Sequence, residues 1–148
     1  NFNLETSHVL PAMLRKMHLG KCLESNDWRS VNIDLDKSPV EGITGSSSEN
    51  DKIRVLGKYG VSKNSGGVEV TLWGDGSPMR EFLYSEDLAN AVVYLMTNVE
   101  KSSLTDGFIN IGSGIDISIK HLSELIKGIT GFNGKIVWDG KPFCIVLI

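Results

Sequence analysis

The stretch that most constrains the fold is residues 73–89, in which a glycine turn leads through a short extended run into a helix. The residues just before it, 68–72, alternate apolar and polar side chains, which is typical of a half-buried strand. Ser85 is a favoured N-cap, and the two acidic residues that follow it suit the positive end of a helix. Strand, turn and helix in this order predict an α/β architecture in which helices cover a sheet.

Arg80 lies between the glycine turn and the helix, in a run that also holds Pro78 and Met79. Its guanidinium is planar and permanently charged, so it suits a phosphate or a carboxylate. The alternative is a surface ion pair with Glu81 or Glu86, because most arginines lie in solvent. Local chemistry leaves both interpretations open.

Other periodic segments extend the same architecture. Apolar spacing predicts a helix from Val9 to about Leu23, weakened near Gly20. Residues 108–111 are predicted to form a short buried strand and 135–138 a last strand, with a helix between them that ends before Gly131. The predicted inward faces of the two later helices are Leu88, Val92, Leu95, Met96 and Val99, and then Leu122, Leu125, Ile126 and Ile129.

Two segments do not fit this alternation. Residues 24–67 are mostly polar and are broken by proline, glycine and serine, so we expect a surface insertion with one short helix near residues 53–59. Residues 143–148 form an unbroken apolar tail after Pro142. A buried terminal strand, a truncation or an altered reading frame would each explain such a tail.

Composition limits the classes of function. The chain has 148 residues, the length of one ordinary domain, and its 41% apolar and 22% charged residues are typical of a globular protein. The net charge of −3 without any basic run argues against nucleic acid as a partner. No apolar stretch approaches the roughly 20 residues of a membrane span. Cys22 and Cys144 lack metal-type spacing, which favours free thiols and a cytoplasmic location.

Several residues are candidates for chemistry, each with an ordinary alternative. His8 lies at the start of the first helix, next to Ser7 as a possible cap, and is either a proton-transfer group or an ordinary cap-region histidine. Lys16 follows His8 by about two helical turns, so both side chains can point to one side. Trp73 either stacks on a planar ring or a sugar, or packs in the core. His18 and Cys22 have i,i+4 spacing, but two ligands do not make a zinc site.

Several segments together resemble the GDP-L-fucose synthase family, which belongs to the extended short-chain dehydrogenase/reductases of the NAD-dependent epimerase/dehydratase type. The resemblance rests on the Ser-His-Val-Leu-Pro run within residues 1–16 and on the Trp-Gly-Asp-Gly-Ser-Pro-Met-Arg-Glu-Phe-Leu run within 70–87. Residues 109–114 and 117–134 match in the same order. It covers the chain up to about Asp139, except for residues 24–67, which resemble an insertion carried by some members.

The resemblance implies an incomplete NAD(P)-binding Rossmann-type fold, mainly its C-terminal substrate-binding part. It implies an NADPH-dependent enzyme that epimerises GDP-4-keto-6-deoxy-mannose at C3 and C5 and reduces it at C4 to GDP-fucose. By the same resemblance His8 is an acid/base that lies against NADP(H), Lys16 and Arg80 hold the diphosphate, and Trp73 contacts the substrate. A homodimer is implied for the parent enzyme.

The resemblance also implies groups that this sequence lacks. The family's glycine-rich cofactor fingerprint, its Ser and Tyr-x-x-x-Lys and its catalytic Cys would all precede residue 1. Only Lys141 and Pro142 remain of a substrate loop near the other end. We therefore expect the 148-residue chain to be inactive and incompletely folded by itself. The alternatives are a non-catalytic nucleotide-sugar binding module and an epimerase or dehydratase acting on another nucleotide sugar.

Overall fold

The structure is a computed structural model, and it describes residues 2–100, 102 and 108–140. The chain divides into two compact units, one made of residues 1–77 and 120–148 and the other of residues 78–119. The apolar tail at 143–148 lies outside the described residues. The elements in chain order are α1 (Val9–Glu24), α2 (Trp28–Lys37), α3 (Glu49–Lys58), β1 (Val61–Asn64), β2 (Gly67–Leu72), β3 (Met79–Glu81), α4 (Ser85–Asn98), β4 (Asp116–Ser118), α5 (Ile119–Thr130) and β5 (Lys135–Trp138).

The first unit is built on a three-stranded sheet in the order β1-β2-β5. β1 runs antiparallel to β2, whereas β5 runs parallel to it, with Leu72 opposite Trp138. The alternation predicted for β2 is confirmed, because Val68, Val70 and Leu72 are all buried. Since β2 and β5 are parallel and in register at their ends, the residues that follow them emerge at the same edge of the sheet.

Helix α1 crosses the sheet and contacts β2, β1 and α2. It does not weaken at Gly20 as predicted but continues to Glu24. The structure gives the reason: a Cβ at Gly20 would lie 3.0 Å from the Phe132 ring and 3.1 Å from the Val70 side chain. Glycine is therefore present because the helix packs closely on its neighbours. The capping role considered for Ser7 is wrong, since His8 occupies the N-cap position.

The predicted surface location of residues 24–67 is wrong. This segment contains α2, α3 and β1, and its fully buried side chains include Val31, Leu35, Leu56 and Val61. Asp27 caps α2 by accepting from the Ser30 N–H at 3.1 Å, and Ser48 caps α3. Because the sequence between these caps is short and polar, hydrophobic periodicity does not reveal the apolar faces of α2 and α3. That the segment is an insertion relative to other family members stays a prediction.

The second unit contains a two-stranded antiparallel sheet, β3-β4, and helix α4. The helix begins at Ser85 with Tyr84 as its N-cap, one residue earlier than predicted. Its apolar face is not inward as expected, because α4 buries no side chain and Met96 is 81% exposed. Residues 108–111 are not a strand, and Phe108 is 69% exposed.

Helix α5 returns the chain to the first unit and leads into β5. Its predicted face is half right: Leu122 and Ile126 are buried, but Leu125 and Ile129 are exposed. Gly131 ends the helix at φ 68°, the left-handed conformation that glycine adopts without cost. The predicted last strand is confirmed as β5.

Candidate functional site

A cluster of polar and aromatic groups lies at the carboxyl edge of β2 and β5. Trp73 follows β2 directly and Asp139 follows β5 directly, at positions adjacent in the paired register. Lys16 reaches this edge from α1, and its Nζ lies 5.2 Å from the centroid of the Trp73 ring. In open α/β sheets, the carboxyl ends of the strands are the usual place for a ligand. We call Lys16, Trp73 and Asp139 the edge cluster.

Lys16 is buried although it carries a charge, with only 6% of its surface exposed. Its Nζ donates to the Thr71 carbonyl oxygen at 3.2 Å. Burial lowers the pKa of Lys16 below its ordinary value of 10.5, and the negative charge of Asp139 partly opposes that shift. An ammonium has three donors, and the Thr71 bond uses one of them.

Trp73 is 60% exposed, so the interpretation of this residue as a core side chain is wrong. Its indole contacts the Lys16 ammonium as a cation–π pair. Of the four predicted site residues, Lys16 and Trp73 are the two that the structure shows in contact. The prediction that Trp73 stacks on a ligand stays open, and the exposed ring is suited to it.

The turn after β2 is held in place by its neighbours. Gly74 and Gly76 both have φ 76°, a left-handed conformation that glycine adopts without strain. A Cβ at Gly76 would lie 2.7 Å from the Trp138 ring, so no side chain fits there. The Asp139 carboxylate accepts from the Gly74 N–H at 2.9 Å. The turn is therefore anchored to the end of β5.

His8 lies at the N-cap of α1, where its side chain is exposed and makes no capping hydrogen bond. Its imidazole is therefore accessible, and its role in proton transfer stays a prediction. Lys16, two turns further along the same helix, is buried. The two residues therefore share a helix but not an environment.

Arg80 lies on β3 in the second unit and is exposed. Its Nη1 donates to the Met79 carbonyl oxygen at 2.7 Å. Within the part of the chain that the structure describes, Arg80 forms no ion pair with Glu81 or Glu86. Glu81 instead accepts from the Ser113 hydroxyl at 2.9 Å and the Gly114 N–H at 2.6 Å.

Two other places carry polar groups but no site. His18 Nε2 lies 3.8 Å from the Sγ of Cys22, and burial raises the pKa of the Cys22 thiol. A shallow groove at the amino ends of β2 and β5 is lined by residues that include Lys63. The Lys63 amine already donates to the Leu23 carbonyl oxygen and to the Asn26 side-chain oxygen. Among the described residues, no helix is long and apolar enough to cross a membrane, and no three potential ligand residues group around a metal position.

Sequence reasoning missed Asp139 and Thr71 as parts of the site. Thr71 contributes a main-chain oxygen, which no residue type reveals. Asp139 carried a usable signal, since a carboxylate directly after a predicted strand lies at a sheet edge. The signal can be used only if β5 is known to run parallel to β2. That pairing is not a local feature, because Leu72 and Trp138, which it joins, are 66 positions apart.

The chain matches known proteins along most of its length. Residues 43–112 match the NAD dependent epimerase/dehydratase family. A probable GDP-L-fucose synthase 1 from Oryza sativa subsp. japonica is 36% identical over 143 residues, which is 96% of this chain and 30% of the rice protein. The chain therefore spans about 30% of the length of that relative.

Solved structures give the same fold. MlghC, a GDP-mannoheptose C4 reductase from Campylobacter jejuni solved with NADP bound, is 37% identical with a TM-score of 0.78, over 94% of this chain and 38% of that one. A GDP-6-OMe-4-keto-L-xylo-heptose reductase from C. jejuni is 35% identical with a TM-score of 0.80, over 97% of this chain and 39% of that one. The α/β fold is thus a partial Rossmann-type fold of the extended short-chain dehydrogenase/reductase kind, and the chain carries a domain of the NAD dependent epimerase/dehydratase family at residues 43–112.

Proposed function

We propose that the edge cluster is part of a binding site for a GDP-sugar, within an NADP-dependent epimerase or reductase. The observation that carries the proposal is the pairing of a buried cation with an exposed indole, Lys16 with Trp73, at the carboxyl edge of parallel strands. A diphosphate requires positive charge, and a sugar or base presents a face to an aromatic ring. The relatives that match most of this chain are named for GDP-sugars.

Each predicted residue has a role in this proposal. The Lys16 ammonium neutralises the diphosphate. The Trp73 ring either leaves the Lys16 ammonium to stack on the ligand or contacts the ammonium and the ligand together. The family resemblance, rather than the geometry, gives Arg80 a contact with the diphosphate, for which its planar guanidinium suits a bidentate bond. His8 acts as the acid/base toward carbons next to a ketone, where protons are acidic once the enolate is stabilised.

The cofactor is proposed to be NADP(H), which supplies hydride for reduction at C4. MlghC was solved with NADP. Among the described residues His8 fits a cofactor contact, because its ring is exposed at a helix start and makes no capping bond. We propose no other residue of this chain as a cofactor contact.

The specific reaction we propose is that of a GDP-L-fucose synthase, namely epimerisation of GDP-4-keto-6-deoxy-D-mannose at C3 and C5 and reduction at C4. The rice protein supports it. We place this activity in the intact protein, in the cytoplasm and in a homodimer, and we expect the 148-residue chain alone to be inactive. A non-catalytic binding module is the alternative if the intact protein binds but does not turn over.

The second candidate is C4 reduction of a GDP-4-keto-heptose. A heptose reductase with a TM-score of 0.80 at 35% identity favours it. The two candidates differ in chemistry, because only epimerisation exchanges protons at C3 and C5. Incubating the intact protein with each keto sugar in deuterated water, and then with NADPH, separates them. Deuterium at both carbons supports the synthase, and reduction without exchange supports the heptose reductase.

Binding is tested separately with GDP and two lysine variants. We expect Lys16→Met to weaken GDP binding by about tenfold or more, since a hydrogen bond to a charged group contributes about 1.5–3 kcal/mol. Lys37→Met, which removes an exposed lysine of α2, is the matched control and should bind as the unaltered protein does. Calorimetry measures both. If Lys16→Met binds GDP as tightly as the unaltered protein does, the edge cluster is not part of the GDP site.

A further inference from the structure

Asp139 is the member of the edge cluster that the proposed function leaves without a task. Three hydrogen bonds join its segment to the end of β2. The Asp139 N–H donates to the Leu72 carbonyl at 3.0 Å, its carboxylate accepts from Gly74 at 2.9 Å, and the Gly140 N–H donates to the Gly74 carbonyl at 3.1 Å. Trp73 lies between the two residues held in this way, and the carboxylate supplies one of the three bonds that hold the backbone on either side of the indole.

The same carboxylate also determines the electrostatics around Lys16. Three neighbours of the Lys16 amine are the Thr71 carbonyl at 3.2 Å, the Trp73 ring at 5.2 Å and Gly60, which precedes β1. None of these groups carries a formal charge. Burial favours loss of the proton from Lys16, and Asp139 is the carboxylate that opposes this loss.

We propose that Asp139 is a positioning residue for the nucleotide diphosphate, with two separable actions: it holds the turn that carries Trp73, and it keeps the buried Lys16 cationic. The identity of the ligand, a nucleotide diphosphate, rests on the proposed function. The effect of Asp139 on Lys16 does not rest on it, because that effect needs no ligand. Because Asp139 neither donates to an anion nor presents positive charge, it acts through the other two residues.

Two substitutions separate the two actions. Asp139→Asn keeps an oxygen that accepts from Gly74 but removes the charge. Asp139→Glu keeps the charge but displaces the carboxylate by one methylene. Asp75→Asn is the matched control, since Asp75 lies in the same turn and its carboxylate accepts from Ser77 instead.

The first measurement is the titration of the Lys16 side chain by NMR, without ligand, in the intact protein. We expect its midpoint to move to lower pH in Asp139→Asn, because an opposite charge is removed. The midpoint should stay in place in Asp139→Glu and in Asp75→Asn. An unchanged midpoint in Asp139→Asn overturns the proposal. If that variant does not fold, Asp139→Ser, which is also uncharged, takes its place in this measurement and is judged by the same outcomes.

The second measurement is GDP affinity between pH 6 and pH 10. In the unaltered protein affinity falls as Lys16 loses its proton, and in Asp139→Asn the fall begins at a lower pH. In Asp139→Glu the Gly74 amide resonance shifts and affinity is lower at every pH, because the turn is displaced. If the unaltered protein does not bind GDP at all, the proposed function fails, while the ligand-free titration of Lys16 still tests the role of Asp139.

Discussion

At the residue scale, the buried Lys16 predicts a dependence of stability on pH. Its pKa is lowered in the folded state by burial. Between that lowered pKa and 10.5 the unfolded chain binds more protons than the folded one, so the Lys16 contribution to the free energy of unfolding rises with pH. Lys16→Met removes this contribution. Urea unfolding at pH 7, 9 and 10 should show the unaltered protein gaining on the variant as pH increases.

The control for this prediction is Lys37→Met, because Lys37 is exposed on α2. The difference in free energy between the unaltered protein and this variant should stay flat over the same range of pH. A Lys16→Met difference that is equally flat would mean that the buried amine has an ordinary proton affinity.

At the scale of elements, two glycines test whether close packing or conformational freedom determines their identity. Gly134 precedes β5, and a Cβ there would lie 2.2 Å from the Val68 carbonyl oxygen, which is backbone and cannot move aside. We expect Gly134→Ala to destabilise the first unit by about 1–3 kcal/mol through overpacking. Gly128 lies inside α5, and an added Cβ there would have no neighbouring atom within 4 Å, so Gly128→Ala should stabilise by about 0.5–1 kcal/mol.

Thermal and urea unfolding of the two alanine variants measure the contrast. The substitution is the same in both, so differences in side-chain chemistry are removed. Destabilisation by both variants would indicate that α5 is not a regular helix at Gly128. Stabilisation by both would mean that the β5 entry is looser than the structure shows.

The β3-β4 sheet gives a prediction for acid pH. Hydrogen bonds from the Ser113 hydroxyl and then from the Gly114 N–H lower the pKa of Glu81 below 4.5. The stabilisation by these bonds is therefore fully present above pH 4.5 and is lost as pH falls through the lowered pKa of Glu81. The Gly114 amide resonance should follow this titration, and Ser113→Ala should move its midpoint up toward 4.5. A Gly114 resonance that does not change between neutral and acid pH would contradict the bond.

At the scale of the whole molecule, the described apolar core is concentrated in the first unit. Met17 of α1 is fully buried, whereas Met96 of α4 is 81% exposed. We expect Met17→Ala to lower the free energy of unfolding by about 2–5 kcal/mol, because it leaves a cavity. Met96→Ala should stay within about 0.5 kcal/mol, as for most surface changes. Urea unfolding of the two variants tests this, and equal costs would mean that α4 is covered in solution.

The sequence by itself determined the local elements whose signals lie within a few residues. Alternation gave β2, helical periodicity gave α1, α4 and α5, and the glycine turn after β2 needs φ values that glycine accepts. The motif around Arg80 and the run at His8 indicated the family that the comparisons support. These features need no knowledge of distant neighbours.

Only the tertiary structure decided which faces are buried and which side chains meet. The apolar face of α4 satisfies helical spacing, yet it is exposed because no described element covers it. Gly20 is a poor helix former, yet α1 continues through it because Phe132 packs there. The contact of Lys16 with Trp73, and the position of Asp139 beside them, depend on β5 pairing in parallel with β2. Strand pairing joins residues that are far apart in the sequence, and several partners compete for each strand. Local sequence patterns therefore do not predict which strands pair.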